Sequence, residues 1–160
     1  MKFLKFLLLV LIFTAATAMN LDSSPEWKSM DMAQELAEQD KKPIFIFVEA
    51  EWCGLCKQMK RNVFPDGNIK KLLSEQFHMV SIDLDSKNRI TFNDKEMTER
   101  EFARTMEVMA TPTMIFVDYK GEEMGRRPGF MDMEGFNKLL LYVNSDQFTE
   151  VSFEDFNAEG

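Results

Sequence analysis

Cys53 and Cys56 are the only thiols in 160 residues, and they sit three positions apart. Two thiols at that spacing can close a disulfide inside one helical turn. At a helix start the two sulfurs become unequal. The first faces unpaired backbone N–H groups and the positive end of the helix dipole, which stabilise its thiolate. The second stays inside the turn until the first has reacted. That asymmetry suits thiol–disulfide exchange, with Cys53 as nucleophile and Cys56 as the thiol that resolves the mixed disulfide. Lys57, one turn later, reads as a solvated lysine within electrostatic reach of Cys53. A zinc site normally needs four Cys or His ligands, and the chain offers two Cys and the single His78. A purely structural bridge over so short a loop would constrain the unfolded chain little. His78 reads as a surface or satisfied core residue. Most of the 13 methionines fall at packing positions, so no metal is expected.

Glu49 ends an otherwise apolar run, Ile44-Phe45-Ile46-Phe47-Val48, four residues before Cys53. A carboxylate on a buried strand needs a reason. Behind the disulfide, it can accept or return the proton of Cys56. The competing reading is a strand end already in water, with Glu49 merely solvated.

The first residues bear on the compartment. Lys2 and Lys5 precede an apolar run from Phe6 to Phe13, and Ala16-Thr17-Ala18 has the small-x-small form of a cleavage site. Residues 1–18 are therefore expected to be a secretory signal peptide. The apolar stretch is shorter than the ~20 residues that span a bilayer. Export would place the pair where disulfides persist. The whole chain carries 19 Lys+Arg against 27 Asp+Glu, a net charge of −8. This balance argues against nucleic acid and anionic lipid as partners. Residues 19–145 are expected to form one domain. Residues 146–160 read as an acidic, aromatic segment whose Phe148, Phe153 and Phe156 pack back on it.

The elements that must position the cysteines follow from periodicity and caps. Ser24-Pro25 reads as the opening of a helix with Trp27, Met30, Ala33, Leu36 and Ala37 on its inner face. The β-favouring run after it reads as a strand buried on both faces. Helices follow over Cys53 to about Asn62 and, after the Phe64-Pro65-Asp66-Gly67 break, through Gln76. A second strand spans Phe77 to Leu84, and a small hairpin turns at Asn93-Asp94. Thr98-Glu99-Arg100-Glu101 is a capping box. Strands over Thr113–Asp118 and Glu122–Arg127 precede a helix capped by Asp132. The predicted class is α/β, a mixed central sheet with helices on both faces.

Trp52-Cys53-Gly54-Leu55-Cys56-Lys57, with Thr111-Pro112-Thr113 before a late hairpin and a terminal helix, resembles the thioredoxin superfamily over about Lys42 to Val143. Within it the chain is similar to exported SoxW-type thioredoxins, which are associated with bacterial sulfur oxidation. Phe47-Val48-Glu49, Arg127-Pro128-Gly129-Phe130 and Ser152-Phe153-Glu154-Asp155-Phe156 carry that likeness. The resemblance implies a thioredoxin fold, a redox-active Cys53–Cys56 disulfide and a cis Thr111–Pro112 bond. It also implies a substrate-docking surface of Trp52, Thr111, Pro112 and Gly129. It implies a monomeric periplasmic reductase of disulfides in extracytoplasmic proteins, needing no organic cofactor. A membrane thiol-electron donor of the DsbD or CcdA type would recharge it. An oxidant or isomerase would use the same residues, and a non-enzymatic metal- or partner-binding module is the other alternative. Two positions depart from the family pattern. Leu55 replaces the usual proline between the cysteines. Phe47 stands where a buried aspartate is usual, and Glu49, on the same strand face, is expected to take its place.

Overall fold

The computed structural model describes residues 26–157. Along the chain come β1 (Trp27–Lys28), α1 (Met30–Asp40), β2 (Ile44–Glu49) and α2 (Gly54–Gln58), which continues as a π-helical turn, Met59–Val63. Then follow α3 (Gly67–Gln76), β3 (His78–Asp83), β4 (Arg89–Phe92), β5 (Lys95–Thr98) and α4 (Glu99–Thr105). The chain closes with β6 (Thr113–Val117), β7 (Glu123–Pro128) and α5 (Met133–Val143). Five strands form one sheet in the order β1-β3-β2-β6-β7, and β4 and β5 make a separate hairpin. β1, β3 and β2 run parallel, while β6 is antiparallel to both β2 and β7.

Alternation along β2 feeds two cores. Phe45 and Phe47 enter one with Met114 and Phe116, under α2, α3 and α5. Ile44, Ile46 and Val48 enter the other with Ile115 and Val117, under α1, α4 and the hairpin. Cover on both faces is why this strand can be apolar at every position. The first core is largely aromatic. Phe64 meets Phe47 edge-on at 4.9 Å and Phe45 edge-on at 6.2 Å, and lies 5.4 Å from Phe136 and 5.7 Å from Trp27. Cys53 and Cys56 are buried in this same cluster.

Polar groups end the elements as the sequence indicates. Asp66 Oδ1 accepts from the Asn68 and Ile69 amides, Asp132 Oδ1 accepts from Gly135, and the Thr98–Glu101 capping box forms in both directions. Asn93 and Asp94 take positive φ, 50° and 61°, at the hairpin turn, as a tight two-residue turn requires.

Two expectations need correction. The first helix does not include Trp27; Ser24-Pro25, where it is expected to open, lie outside the described residues together with the whole expected signal segment. The helix begins at Met30, and Ser29 caps it by accepting from the Met32 amide. Trp27 is instead in an edge strand, opposite Met79 of β3. Its ring packs on Phe45, Phe47 and Phe64, and tertiary burial of that indole overrides the helical spacing. The second correction concerns Cys53 to Asn62, which is not uniformly α-helical. The Phe64 amide reaches back five residues to the Met59 carbonyl at 3.0 Å. That widened turn brings Met59, Val63 and Phe64 together into the core.

Beyond α5, Tyr142 gathers the last described residues. Its hydroxyl donates to the Phe148 and Val151 carbonyls at 2.9 and 2.8 Å. The rings of Phe148, Phe153 and Phe156 surround it at 5.1, 5.7 and 5.3 Å.

Candidate active site

One end of the sheet collects the residues singled out in the sequence. β2 and β3 are parallel and in register from Ile44↔His78 to Glu49↔Asp83, so both chains leave at that end. β2 runs on to Trp52 and Cys53, and β3 to Asp85. β6 runs the other way, with Thr113 opposite Val48. Thr111 and Pro112 therefore enter the sheet at the end where β2 leaves it. Thr113 also faces Pro128 of β7, which brings Gly129 to the same edge. The Gly129 amide, at φ +93°, donates to the Pro112 carbonyl at 2.8 Å. The Thr111–Pro112 peptide is cis. Pro112 is buried, and the Thr111 hydroxyl oxygen is buried without a hydrogen-bond partner.

Cys53 and Cys56 are joined as a disulfide, with Cα atoms 5.3 Å apart. Cys53 is the residue just before α2 in extended conformation, and its Sγ accepts from the Cys56 amide at 3.1 Å. Cys56 is fully buried, whereas Cys53 retains 4% of its surface. Of the two cysteines, only Cys53 keeps any exposed surface. Around it the surface is apolar and open: Trp52 is 68% exposed and Leu55 48%. The Trp52 indole is fixed by donating to Asp85 Oδ2 at 2.8 Å. Lys57 is exposed.

Glu49 shares the strand face of Phe47 but is not an isolated carboxylate. Its Oε1 accepts from both Lys60 Nζ and the Ser81 hydroxyl. The side chain is 16% exposed and that of Lys60 38%. Sequence reasoning missed both partners. Ser81 was detectable as the polar break inside the run Met79-Val80-Ser81-Ile82. Lys60 lies four residues past Cys56, on the helix that covers Glu49. The ammonium of Lys60 also stands 5.8 Å over the Trp27 ring.

Met109, two residues before Thr111, is 93% exposed. Met106, three positions earlier, packs on the second core. His78 is a satisfied core residue, 3.0 Å from Asp40 Oδ1. Among the described residues no group of three or more His, Cys, Asp or Glu side chains is arranged to hold a metal ion, and no helix is long and apolar enough to cross a membrane.

A family model described as a thioredoxin-like domain matches residues 30–144. Thiol:disulfide interchange protein DsbD of Escherichia coli K12 is 28% identical over 129 residues, covering 79% of this chain and 21% of that protein. Disulfide bond reductase DsbH of Chlamydia pneumoniae is 28% identical over 102 residues, covering 63% of this chain and 61% of that protein. The chain therefore spans only part of each of these relatives. Among solved structures, a thioredoxin from Thermus thermophilus superposes with a TM-score of 0.63 at 27% identity, covering 80% of this chain and 98% of its own. A DsbH oxidoreductase superposes with a TM-score of 0.55 at 27% identity, covering 66% and 73%.

Proposed function

Because the chain belongs to the thioredoxin-like domain family, we propose that it is an exported thiol–disulfide oxidoreductase that reduces disulfides in extracytoplasmic proteins. The observation that carries this reading is the Cys53–Cys56 disulfide at the start of α2. It lies at the sheet end that also holds Trp52, Thr111–Pro112 and Gly129. The reductive direction is favoured by the similarity to DsbH, a disulfide bond reductase by name. Export is favoured by the signal-like residues 1–18.

In the reduced protein, the Cys53 thiolate attacks one sulfur of a substrate disulfide. The substrate S–S bond breaks, one substrate thiolate leaves, and a mixed disulfide forms. Cys56 then loses its proton and attacks Cys53 Sγ. The second substrate thiolate leaves, and the Cys53–Cys56 disulfide closes. Two electrons have passed to the substrate. Glu49, held by Lys60 and Ser81 on the strand face beneath α2, accepts the Cys56 proton. Trp52, Thr111, Pro112 and Gly129 dock the substrate backbone. A membrane thiol-electron donor of the DsbD or CcdA type returns the electrons, and the SoxW-type likeness belongs to the same proposal.

Dithiothreitol-driven reduction of a model protein disulfide tests the reading. The protein lacking residues 1–18 is expected to be active and Cys53→Ser inactive; equal rates for the two overturn it. A glutathione redox titration sets the direction. A potential near the ~−270 mV of thioredoxin supports a reductant, and one near ~−120 to −180 mV supports an oxidant or isomerase. If Glu49→Gln leaves the rate and its pH profile unchanged, Glu49 is not the proton acceptor.

A further inference from the structure

Next to Trp52, the active end of the sheet carries a concavity of ≈ 320 Å³ lined by Leu84, Asp85, Arg100, Ala103, Arg104 and Val108. Asp85 belongs to its lining, and the Asp85 carboxylate accepts from the Trp52 indole beside the disulfide. Ala103 is buried, and the partly buried Leu84 and Val108 pack on the second core, so these three supply the apolar part of a mostly polar lining. The rim is basic. Arg100 Nη2 donates to the Asp85 carbonyl at 2.7 Å, which anchors the guanidinium and uses one of its five donors. Arg104, one turn later on α4, is exposed. Among the described residues its guanidinium has no hydrogen bond or ion pair. Its field reaches Glu101, whose carboxylate is already bonded to Thr98.

Two arginines at this spot run against a net charge of −8, which would otherwise repel an acidic partner. We propose that this concavity is a specificity subsite for an acidic side chain, glutamate or aspartate, flanking the disulfide of the substrate polypeptide. The inference rests on the disulfide-exchange reading above. The methylene stem of the incoming residue lies on Leu84, Ala103 and Val108. Its carboxylate meets Arg100 and Arg104, whose planar donor forks match it. The Asp85 carboxylate, committed to Trp52, keeps that acid at the arginine rim.

The test uses disulfide peptides with acetylated and amidated ends, carrying either Glu or Gln on both sides of the disulfide, with dithiothreitol as reductant. The wild-type kcat/KM is expected to favour the Glu peptide about fivefold, the scale of a partly exposed charge pair, and less at high salt. Arg104→Gln brings the ratio close to one, Arg104→Lys retains most of it, and Arg104→Glu reverses it in favour of a Lys peptide. Equal wild-type rates for the Glu and Gln peptides, or a ratio that Arg104→Gln does not move, overturn the subsite while disulfide exchange stands. Reduction of neither peptide overturns both.

Discussion

Truncating Phe64 to alanine tests whether the aromatic core beneath the cysteines is packed as described. Phe64 is fully buried and closes the π-helical turn that follows the cysteine helix. Removing the ring forfeits about 2–3 kcal/mol of burial. It also removes two edge-on ring pairs, with Phe47 and Phe45, worth about 0.5–1.5 kcal/mol each where fully expressed. The cavity left among Trp27, Phe45, Phe47 and Phe136 adds to the loss, and partial collapse subtracts from it. The expected destabilisation is about 4 kcal/mol, within the usual range for a core phenylalanine. With a urea m-value near ~2 kcal/mol/M, the midpoint should fall by roughly 2 M. The assay is urea unfolding of the oxidised protein followed by tryptophan fluorescence, since Trp27 lies 5.7 Å from the lost ring. Phe64→Leu, which keeps most of the volume, should cost about 1–1.5 kcal/mol. A loss below about 1 kcal/mol for Phe64→Ala would refute the packing argument.

Gly121→Ala should displace the Asn93 side chain and break its hydrogen bond to the Gly121 carbonyl, which links the β4–β5 hairpin to the loop between β6 and β7. A Cβ there would lie 1.9 Å from Asn93 Oδ1, at a φ of +78°, so faster amide exchange at residues 89–98 and a lower Tm are expected. At Asp40, partial burial pushes the carboxyl up. The His78 hydrogen bond, the Lys42 amide and the charges of His78 and Lys42 outweigh it and hold the group below the usual aspartate range. A depressed folded value means that Asp40 stabilises the protein above the ordinary aspartate pKa, and that this share is lost as pH falls through the folded value. Asp40→Asn should therefore flatten the acid limb of a stability-against-pH curve. Tyr142→Phe removes the donor to Phe148 and Val151 and should cost about 1–2 kcal/mol, with faster proteolysis beyond residue 145.

Much of the molecule was legible from local chemistry. Strand β2 announced itself because both its faces are covered, which demands apolar residues at every position. Thr98 and Asp132 marked helix starts because their side-chain oxygens bond amides three residues ahead. Asn93-Asp94 marked a turn that needs two positive φ values. Each of these signals acts within a few residues. Trp27 was misread for the complementary reason: its spacing matched a helix, but the partners that claim it, Phe45, Phe47, Phe64 and Met79, are 18 to 52 residues away.

The same division holds at the site. By itself the sequence determined the thiol pair and the Thr111-Pro112-Thr113 segment, because spacing along the chain fixes what one turn can close. Tertiary structure alone decided what surrounds them. It placed Thr113 against Val48, and so carried Pro112 to the end of β2. It tied Trp52 to Asp85, and it gave Glu49 the partners Lys60 and Ser81. Sheet register and helix docking make these contacts between residues 11 to 65 positions apart, through packing on both faces of the sheet that no local pattern encodes.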